Sequence, residues 1–394
     1  MTTFAALGLR AEFVDALAVQ GIDEPFPIQQ ATIEDALAGR DVCGKAKTGS
    51  GKTLAFGLPM LQRVEAARPG HPTALVLVPT RELAKQVVDV LQPLAKEVGA
   101  RVAAFYGGTS MERQIRNLRR RIEVVVATPG RLIDLLERNE LDLDAITTLV
   151  VDEADRMADM GFFPQVEWIL RRVPDDRQTL LFSATLDREV DVLVRRYMRE
   201  PVRHEVASES KTVEEMTHRF LKVHEMDRVK VLVAISGGVA RTMVFVRTKR
   251  GADRLVSQLK REGVIAGAIH GDLRQSAREQ ALKDFAAGHH AVLVATDVAA
   301  RGIHVDDVDV VVHFDPPEDQ KGYVHRSGRT ARAGREGVVA TFVLWNQELE
   351  VERLQKRLGL RQPMIEVFSN DARLADLTSI DGPAPRRKPQ AAAS

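Results

Sequence analysis

The residues best placed to do chemistry lie in one run, Ala46-Lys47-Thr48-Gly49-Ser50-Gly51-Lys52-Thr53. It follows a short strand-like segment (41–43) and leads into a helical pattern (54–64). Gly49, Gly51 and the small hydroxyl residues let backbone N–H groups curl around an anion. The helix that follows adds the positive end of its dipole. In such a loop Lys52 reaches the terminal phosphates of a nucleotide and Thr53 offers its hydroxyl to Mg2+. The competing reading is a glycine-rich turn that ends in Lys-Thr, and the usual first glycine of the pattern is Ala46 here.

A second cluster, Asp152-Glu153-Ala154-Asp155, follows the apolar run 148–151. An acid at a strand end can hold Mg2+ directly or through water, so Asp152 joins Thr53 as a candidate metal ligand. Glu153 beside it is placed to orient and deprotonate an attacking water. An acidic helix N-terminus would look similar, but Lys52 and Thr53 upstream favour catalysis.

These groups need a scaffold that brings distant segments together. Short, β-branched runs at 74–78, 102–106, 124–127, 148–151 and 179–182 alternate with helical patterns such as 82–98 and 111–119. Runs that do not alternate apolar with polar suit strands buried on both faces, which predicts a parallel sheet covered by helices. In such sheets ligands gather at the carboxyl ends of the strands, where every polar cluster here falls. The rhythm breaks over 201–217 and resumes with runs at 218–223, 241–246, 266–269, 291–295, 308–314 and 337–343. The fold class expected is α/β, with two tandem parallel-sheet domains. Their spans are 1–206 and 218–368, with a flexible linker at 207–217 and a disordered, mildly basic tail at 369–394. Two such lobes would form a cleft of variable width.

The bulk properties limit the alternatives. A chain of 394 residues with 44% hydrophobic and 28% charged residues is long enough for two soluble domains. No apolar run approaches the ~20 residues of a membrane span, and the start lacks the basic and apolar regions of a signal peptide. One cysteine, Cys43, excludes an intramolecular disulfide and fits a reducing cytoplasm; its strand position makes it a packing residue. A net charge of +1 is no global nucleic-acid footprint, so any such binding must be local. The run from Arg113 to Arg121 is basic, but charge runs on helices are usually solvated faces.

Together the loop 46–53 and Asp152-Glu-Ala-Asp155 resemble the DEAD-box ATP-dependent RNA helicases of helicase superfamily two, of the bacterial type with a short C-terminal tail. The resemblance covers residues 4–345, and the Ala46 substitution is that family's own pattern. It implies two RecA-like lobes, ATP and Mg2+ as cofactors, and RNA as partner. It further implies RNA-stimulated hydrolysis of ATP to ADP and phosphate, coupled to local, non-processive unwinding or remodelling of RNA duplexes and RNA–protein complexes. A cytoplasmic monomer that works with ribosome-assembly or RNA-decay proteins is expected.

The same resemblance assigns residues. Segment 21–29 is similar to the family's Q motif, with Phe4 as the upstream aromatic and Gln29 reading the adenine edge through its amide, which would favour ATP over GTP. Ile22 stands where an aromatic is usual, so stacking on the base should be weaker. Pro79, Thr80, Arg81, Gly108, Thr128, Pro129 and Arg131 match the first-lobe RNA motifs, and Arg247, Gly271 and Thr296 those of the second. N–H groups, hydroxyls and arginines there would hold phosphates without reading bases. Singly, each first-lobe tripeptide would read as a cap or turn. Ser183, Thr185, Asp155, Asp297, His325 and Arg326 are implied as coupling groups. Arg329 and Arg332 would act on the γ-phosphate as arginine fingers. An ATP-gated RNA clamp with little unwinding is the alternative activity, and the motif set disfavours a DNA-directed enzyme.

The chain departs from the family at His304, where Asp is usual and is thought to touch the ribose. Histidine is larger, is not a dependable acceptor and can be charged, so the grip on ATP is expected to weaken. His304→Asp should lower the KM for ATP in a steady-state ATPase assay, and an unchanged KM would contradict this.

Overall fold

The computed structural model describes residues 2–46, 49–206, 216–300, 308–330 and 337–380. The chain divides into two compact units, Met1–Ser208 and Glu209–Ser394.

The first unit runs α1 (Ala11–Val19), α2 (Pro27–Leu37), β1 (Val42–Lys45), α3 (Lys52–Arg63), β2 (Ala74–Leu77), α4 (Arg81–Glu97), β3 (Val102–Phe105), α5 (Met111–Leu118), β4 (Val124–Ala127), α6 (Pro129–Glu137), β5 (Thr148–Asp152), α7 (Ala154–Asp159), α8 (Phe163–Leu170), β6 (Gln178–Ser183), α9 (Arg188–Tyr197) and β7 (Val202–Glu205). Its seven strands pair in the order β3-β4-β2-β5-β6-β1-β7, every pairing parallel. Successive strand residues face opposite sides, so Ala74, Val76 and Val78 pack into one apolar layer while Leu75 and Leu77 pack into the other. Both layers are covered by helices. In α4, Leu83, Val87, Leu91 and Leu94 recur at helical spacing and are all buried.

The strand order sorts the chemistry. Strands β5, β6 and β1 are neighbours, and their carboxyl ends carry Asp152, Ser183 and the phosphate-loop run. Lys45 pairs in register with Ser183, and Asp152 with Phe182. Strands β3, β4 and β2 form the other half of the sheet, and their ends lead to Gly108, Thr128 and Thr80.

The second unit runs β8 (Thr217–Lys222), α10 (Arg228–Gly237), β9 (Thr242–Phe245), α11 (Lys249–Arg261), β10 (Ala266–Ile269), α12 (Gln275–Ala286), β11 (Val292–Ala295), α13 (Asp297–Ala300), β12 (Val310–His313), α14 (Gln320–Ser327), β13 (Val338–Val343), α15 (Glu348–Leu358) and β14 (Met364–Glu366). The strand order is β10-β11-β9-β12-β13-β8-β14, again all parallel. The expected α/β architecture of two tandem RecA-like parallel-sheet domains is therefore present.

Three features differ from the sequence reading. Edge strand β7 lies in the stretch read as irregular, and edge strand β14 follows the last run read as a strand in the second domain, because short edge strands carry little periodicity. Thr217, placed in the linker, begins β8 and pairs with Val338. The tail was expected to be disordered from 369, yet residues 369–380 pack on the second unit. Two short 3-10 turns (Ala372–Ala375 and Leu377–Ser379) bury Leu374, Leu377 and Ile380 in its core. Their three-residue spacing is that of a 3-10 helix, too short to register as a helical pattern. Arg219 fastens the segment by donating from Nε to the Leu377 carbonyl and from Nη2 to the Thr378 carbonyl, both at 2.8 Å. Cys43 is buried as expected, and burial pushes its thiol up to about 11.

Leu374 is 1% exposed. Leu374→Ala should therefore destabilise the second unit by about 2–5 kcal/mol in urea denaturation, whereas a solvent-exposed tail would leave the midpoint unchanged.

Candidate nucleotide and nucleic-acid sites

Lys52 is the first residue of α3, and its ammonium turns inward. Its Nζ donates to Glu153 Oε1 at 2.8 Å, with both side chains buried. On the other side of the carboxylate, Arg156 Nε lies 3.1 Å from Glu153 Oε2. Glu153 is thus clamped between two cations. Its backbone has φ 54°, a left-handed conformation costing a side-chain residue about 1–3 kcal/mol. That kink turns the chain from β5 into α7 and leaves the carboxylates of Asp152 and Glu153 on the same side as Lys52.

The electrostatics follow from burial and proximity. Burial alone would lower the Lys52 pKa, but the carboxylates of Glu153, Asp152 and Asp155 outweigh it and hold the ammonium above its ordinary value. Burial pushes the Asp152 carboxyl up to about 6, with Lys52 opposing and Glu153 adding to the rise. Asp152 Oδ1 accepts the Glu153 N–H at 2.9 Å. The remaining carboxylate oxygen of Asp152, with the hydroxyl of half-buried Thr53 one residue into α3, is a hard donor of the kind Mg2+ takes. Burial disfavours the ionised carboxyl, and a divalent cation would favour it, so the donor set fits that metal.

The loop ahead of Lys52 is braced from α2. Gly51 has φ +86°, and a Cβ there would collide with Gln29 Nε2 and lie 2.7 Å from Phe26 Cδ2, so only glycine fits. Gln29 Oε1 accepts the Phe26 N–H at 2.8 Å, and Gln29 Nε2 donates to the Gly51 carbonyl at 2.9 Å. The two bonds fix the amide orientation and still leave one lone pair and one N–H. Ala46 is buried and donates its N–H to the Ser183 carbonyl at 3.0 Å. Gly49 has φ +85°, and Ser50 is half-buried. Lys47 and Thr48 lie outside the described residues.

One of the residues expected against the base is placed otherwise. Phe4 is 2% exposed and belongs to the core with Leu7, Leu9 and Phe13, so its ring is structural. Ile22 is half-buried and packs on the same core. The aromatic beside the loop is Phe26, 54% exposed, which the sequence reading did not single out. Arg156 was also missed; its place three residues after Glu153 on α7 was the available signal.

Asp155 joins two strand ends. Its N–H donates to Ser183 Oγ at 3.1 Å, and its Oδ2 accepts from Thr185 N–H at 3.1 Å and Thr185 Oγ1 at 3.2 Å. The expected link between Ser183, Thr185 and Asp155 is therefore present.

On the other half of the sheet, Pro79, Thr80, Pro129 and Arg131 are buried, contrary to a direct phosphate contact by their side chains. Thr80 Oγ1 accepts from Leu83 N–H and caps α4. Arg131 donates from Nη1 to Gln114 Oε1 at 2.6 Å and from Nη2 to the Thr109 carbonyl at 3.3 Å, so it shapes the loop after β3. Gln114, another residue missed, also donates from Nε2 to Thr109 Oγ1 at 2.8 Å and to the Tyr106 carbonyl at 3.1 Å. Arg81 is half-buried, with its guanidinium against Gly108, whose φ of +79° and missing Cβ permit the approach. What faces outward is Arg81, Gly108, Thr128 and the N-termini of α4 and α6, a set of N–H groups suited to phosphates.

In the second unit, Arg326 grips Asp297 with two bonds, Nε to Oδ1 at 2.6 Å and Nη2 to Oδ2 at 2.7 Å, and donates from Nη1 to the Asp315 carbonyl at 2.7 Å. These two expected coupling residues tie α13 to α14. His325 is half-buried on α14, and Arg329 is buried just beyond it. Arg247 and Gly271 are exposed at the ends of β9 and β10. Thr296 is 6% exposed, so its hydroxyl is not presented at the surface as expected. His304 and Arg332 lie outside the described residues.

Comparison with known proteins bears on this geometry. A model for the DEAD/DEAH box helicase family matches residues 26–193, and one for the helicase conserved C-terminal domain matches 227–334. The ATP-dependent RNA helicase CshA of Listeria monocytogenes is 44% identical over 345 residues, covering 87% of this chain and 66% of the relative. The DEAD-box ATP-dependent RNA helicase CshA of Geobacillus kaustophilus is 44% identical over 362 residues, covering 91% and 77%. Among solved structures, S. cerevisiae Dbp5 bound to RNA and ADP BeF3 is similar with a TM-score of 0.81 and 32% identity, covering 94% of this chain and 97% of that one. The chain belongs to the DEAD-box family of ATP-dependent RNA helicases. It spans about two thirds of the Listeria relative's length. Among the described residues, no helix is long and apolar enough to cross a membrane.

The Asp152 shift gives a pH prediction with a definite sign. A carboxyl raised to about 6 is protonated below that pH in the free protein, and a metal needs it ionised. Apparent Mg-ATP affinity should be flat above about pH 7 and fall about tenfold per unit well below pH 6, with proton release on binding in weakly buffered calorimetry near pH 6. A flat affinity down to about pH 5 would contradict it.

Proposed function

We propose that the protein is an RNA-stimulated ATPase that uses nucleotide-dependent grip on the RNA backbone to unwind short duplexes locally and to remodel RNA–protein complexes, without processive travel. The observation that carries this reading is the buried triad of Lys52, Asp152 and Glu153 gathered at the ends of strands β1 and β5.

In the free protein Lys52 and Arg156 hold Glu153, so the candidate base is engaged and cannot take a proton from water. ATP offers Lys52 a stronger anion. When the ammonium moves to the phosphates, Glu153 is released on that side to orient and deprotonate the attacking water. Asp152 and Thr53 would hold Mg2+, which when bound would neutralise and orient the phosphates. The lone pair and N–H left on Gln29 match the N6–H and N7 of adenine and mismatch guanine, whose corresponding edge carries two acceptors. Phosphate contact on the first unit rests on Arg81, Gly108 and the two helix N-termini, which read no base and so imply sequence-independent binding.

In this reading Arg329 and Arg332 of the second unit would stabilise the charge that develops on the γ-phosphate, and the Arg326–Asp297 pair braces α14, which ends just before Arg329. Asp155, Ser183 and Thr185 join the nucleotide strand ends, so a shift at Asp152 is felt at the end of β6.

Added single-stranded RNA should raise ATP turnover of the wild type. Lys52→Ala should abolish the stimulated rate, and Glu153→Gln should lower it about 100-fold or more while the variant still binds a non-hydrolysable ATP analogue. A rate that ignores RNA, or normal turnover by Glu153→Gln, would contradict the reading. A strand-displacement assay on a short duplex tests the unwinding step itself.

A further inference from the structure

The basic run after Ser110 is not used by any of the chemistry above. Residues 110–122 hold five arginines against one acid, Glu112, in a chain whose net charge is only +1. Helix α5 buries Gln114 and Leu118 and leaves Met111 and Ile115 half-buried, so its inner face is fully used. Its outer side carries Arg113, Arg116 and, just past its end, Arg119 and Arg120, all exposed.

Some surface arginines of the same unit are answered by carboxylates. On α9, Arg195 lies 2.7 Å from Asp191 and Arg196 3.1 Å from Glu167. Arg121 lies 2.6 Å from Glu123. Among the described residues, Arg113, Arg116, Arg119 and Arg120 make no ion pair with any carboxylate within 4 Å. Like charges crowded with little counter-charge repel one another, a cost that an added polyanion would relieve. Arginine suits phosphate in particular, through its planar fork of donors.

The position of α5 gives the anion its identity. Gln114 bolts the helix to the loop that carries Gly108 and Thr109, and to Arg131 at the start of α6. Further cations lie across this joint, with Asp134 and Glu112 among them. Burial lowers the Arg131 pKa, Asp134 opposes, and the nearby cations Arg81 and Arg138 lower it further. Arg138, at the end of α6, acts with Arg116 on the Glu112 carboxylate, which Ser110 Oγ also binds at 2.7 Å. A chain of cations thus runs from Arg81 by way of Arg131 and Arg138 to Arg116.

We propose that the outer face of α5, through Arg113, Arg116 and Arg120, is a second phosphate-binding surface that holds RNA running past the strand-end motifs of the first unit. It rests on the RNA-remodelling function above and adds to it a reason for the protein to prefer long or flanked substrates over the few nucleotides the motifs can hold. The contacts are to the backbone, so the preference is for length and not for sequence.

The test compares two RNAs, a single strand of about 6 nucleotides and a hairpin with a single-stranded flank of about 25, both with a non-hydrolysable ATP analogue over a range of salt. In the variant Arg113→Glu/Arg116→Glu/Arg120→Glu, affinity for the short RNA and the thermal midpoint should match wild type. Affinity for the long RNA should fall about 10- to 100-fold near 0.1 M salt, and the slope of log K against log salt should shrink by about 2, the value for three lost phosphate contacts on a single strand. The triple Arg→Gln variant should lose long-RNA affinity in the same sense, by less. Unchanged long-RNA binding and slope would overturn the proposal and leave α5 a solvated face. Equal losses on both RNAs, or a loss with Glu but none with Gln, would overturn it as well. If wild type binds neither RNA, it is the RNA-remodelling function itself that fails.

Discussion

The ion pair between Lys52 and Glu153 is the contact on which the first unit's chemistry depends. It is short, buried at both ends, and joins residues 101 apart in the chain. A buried charge without its partner costs about 3–5 kcal/mol, so the pair holds the phosphate loop and the end of β5 in register while no nucleotide is bound. The same bond occupies the group best placed to activate water. In the proposed mechanism structure and restraint on activity come from one contact, and a phosphate competing for Lys52 would relieve both.

The parallel sheet makes this contact possible. Placing β1 and β5 on either side of β6 brings the two halves of the nucleotide site to one edge. The second half of that sheet presents the N-termini of α4 and α6, beside outward-facing Arg81, Gly108 and Thr128. Asp155, bonded to both Ser183 and Thr185, ties the end of β5 to the end of β6. In the second unit the two-bond grip of Arg326 on Asp297 does a similar job for the segments that carry Arg329.

Much of this was legible in the chain. The loop, the acidic cluster and the strand rhythm are local in sequence, and their physics is local too: glycines for positive φ, an acid after an apolar strand, β-branched runs for buried strands. What was not legible depends on packing from afar. Phe4 reads as an upstream aromatic but is drawn into the core by Leu7 and Phe13. Arg131 and Thr80 carry the right chemistry for phosphate, yet the helices they open need them for capping and loop support. The 3-10 turns after residue 369 hold their apolar residues at a spacing no helix or strand pattern detects.

The central claim is that Lys52 exchanges Glu153 for phosphate. A crystal structure of the chain with a non-hydrolysable ATP analogue, Mg2+ and single-stranded RNA would measure it directly. The account predicts that Lys52 Nζ lies within hydrogen-bonding distance of a phosphate oxygen and has left its 2.8 Å contact with Glu153 Oε1. A Lys52–Glu153 pair that persists unchanged beside bound nucleotide would contradict it.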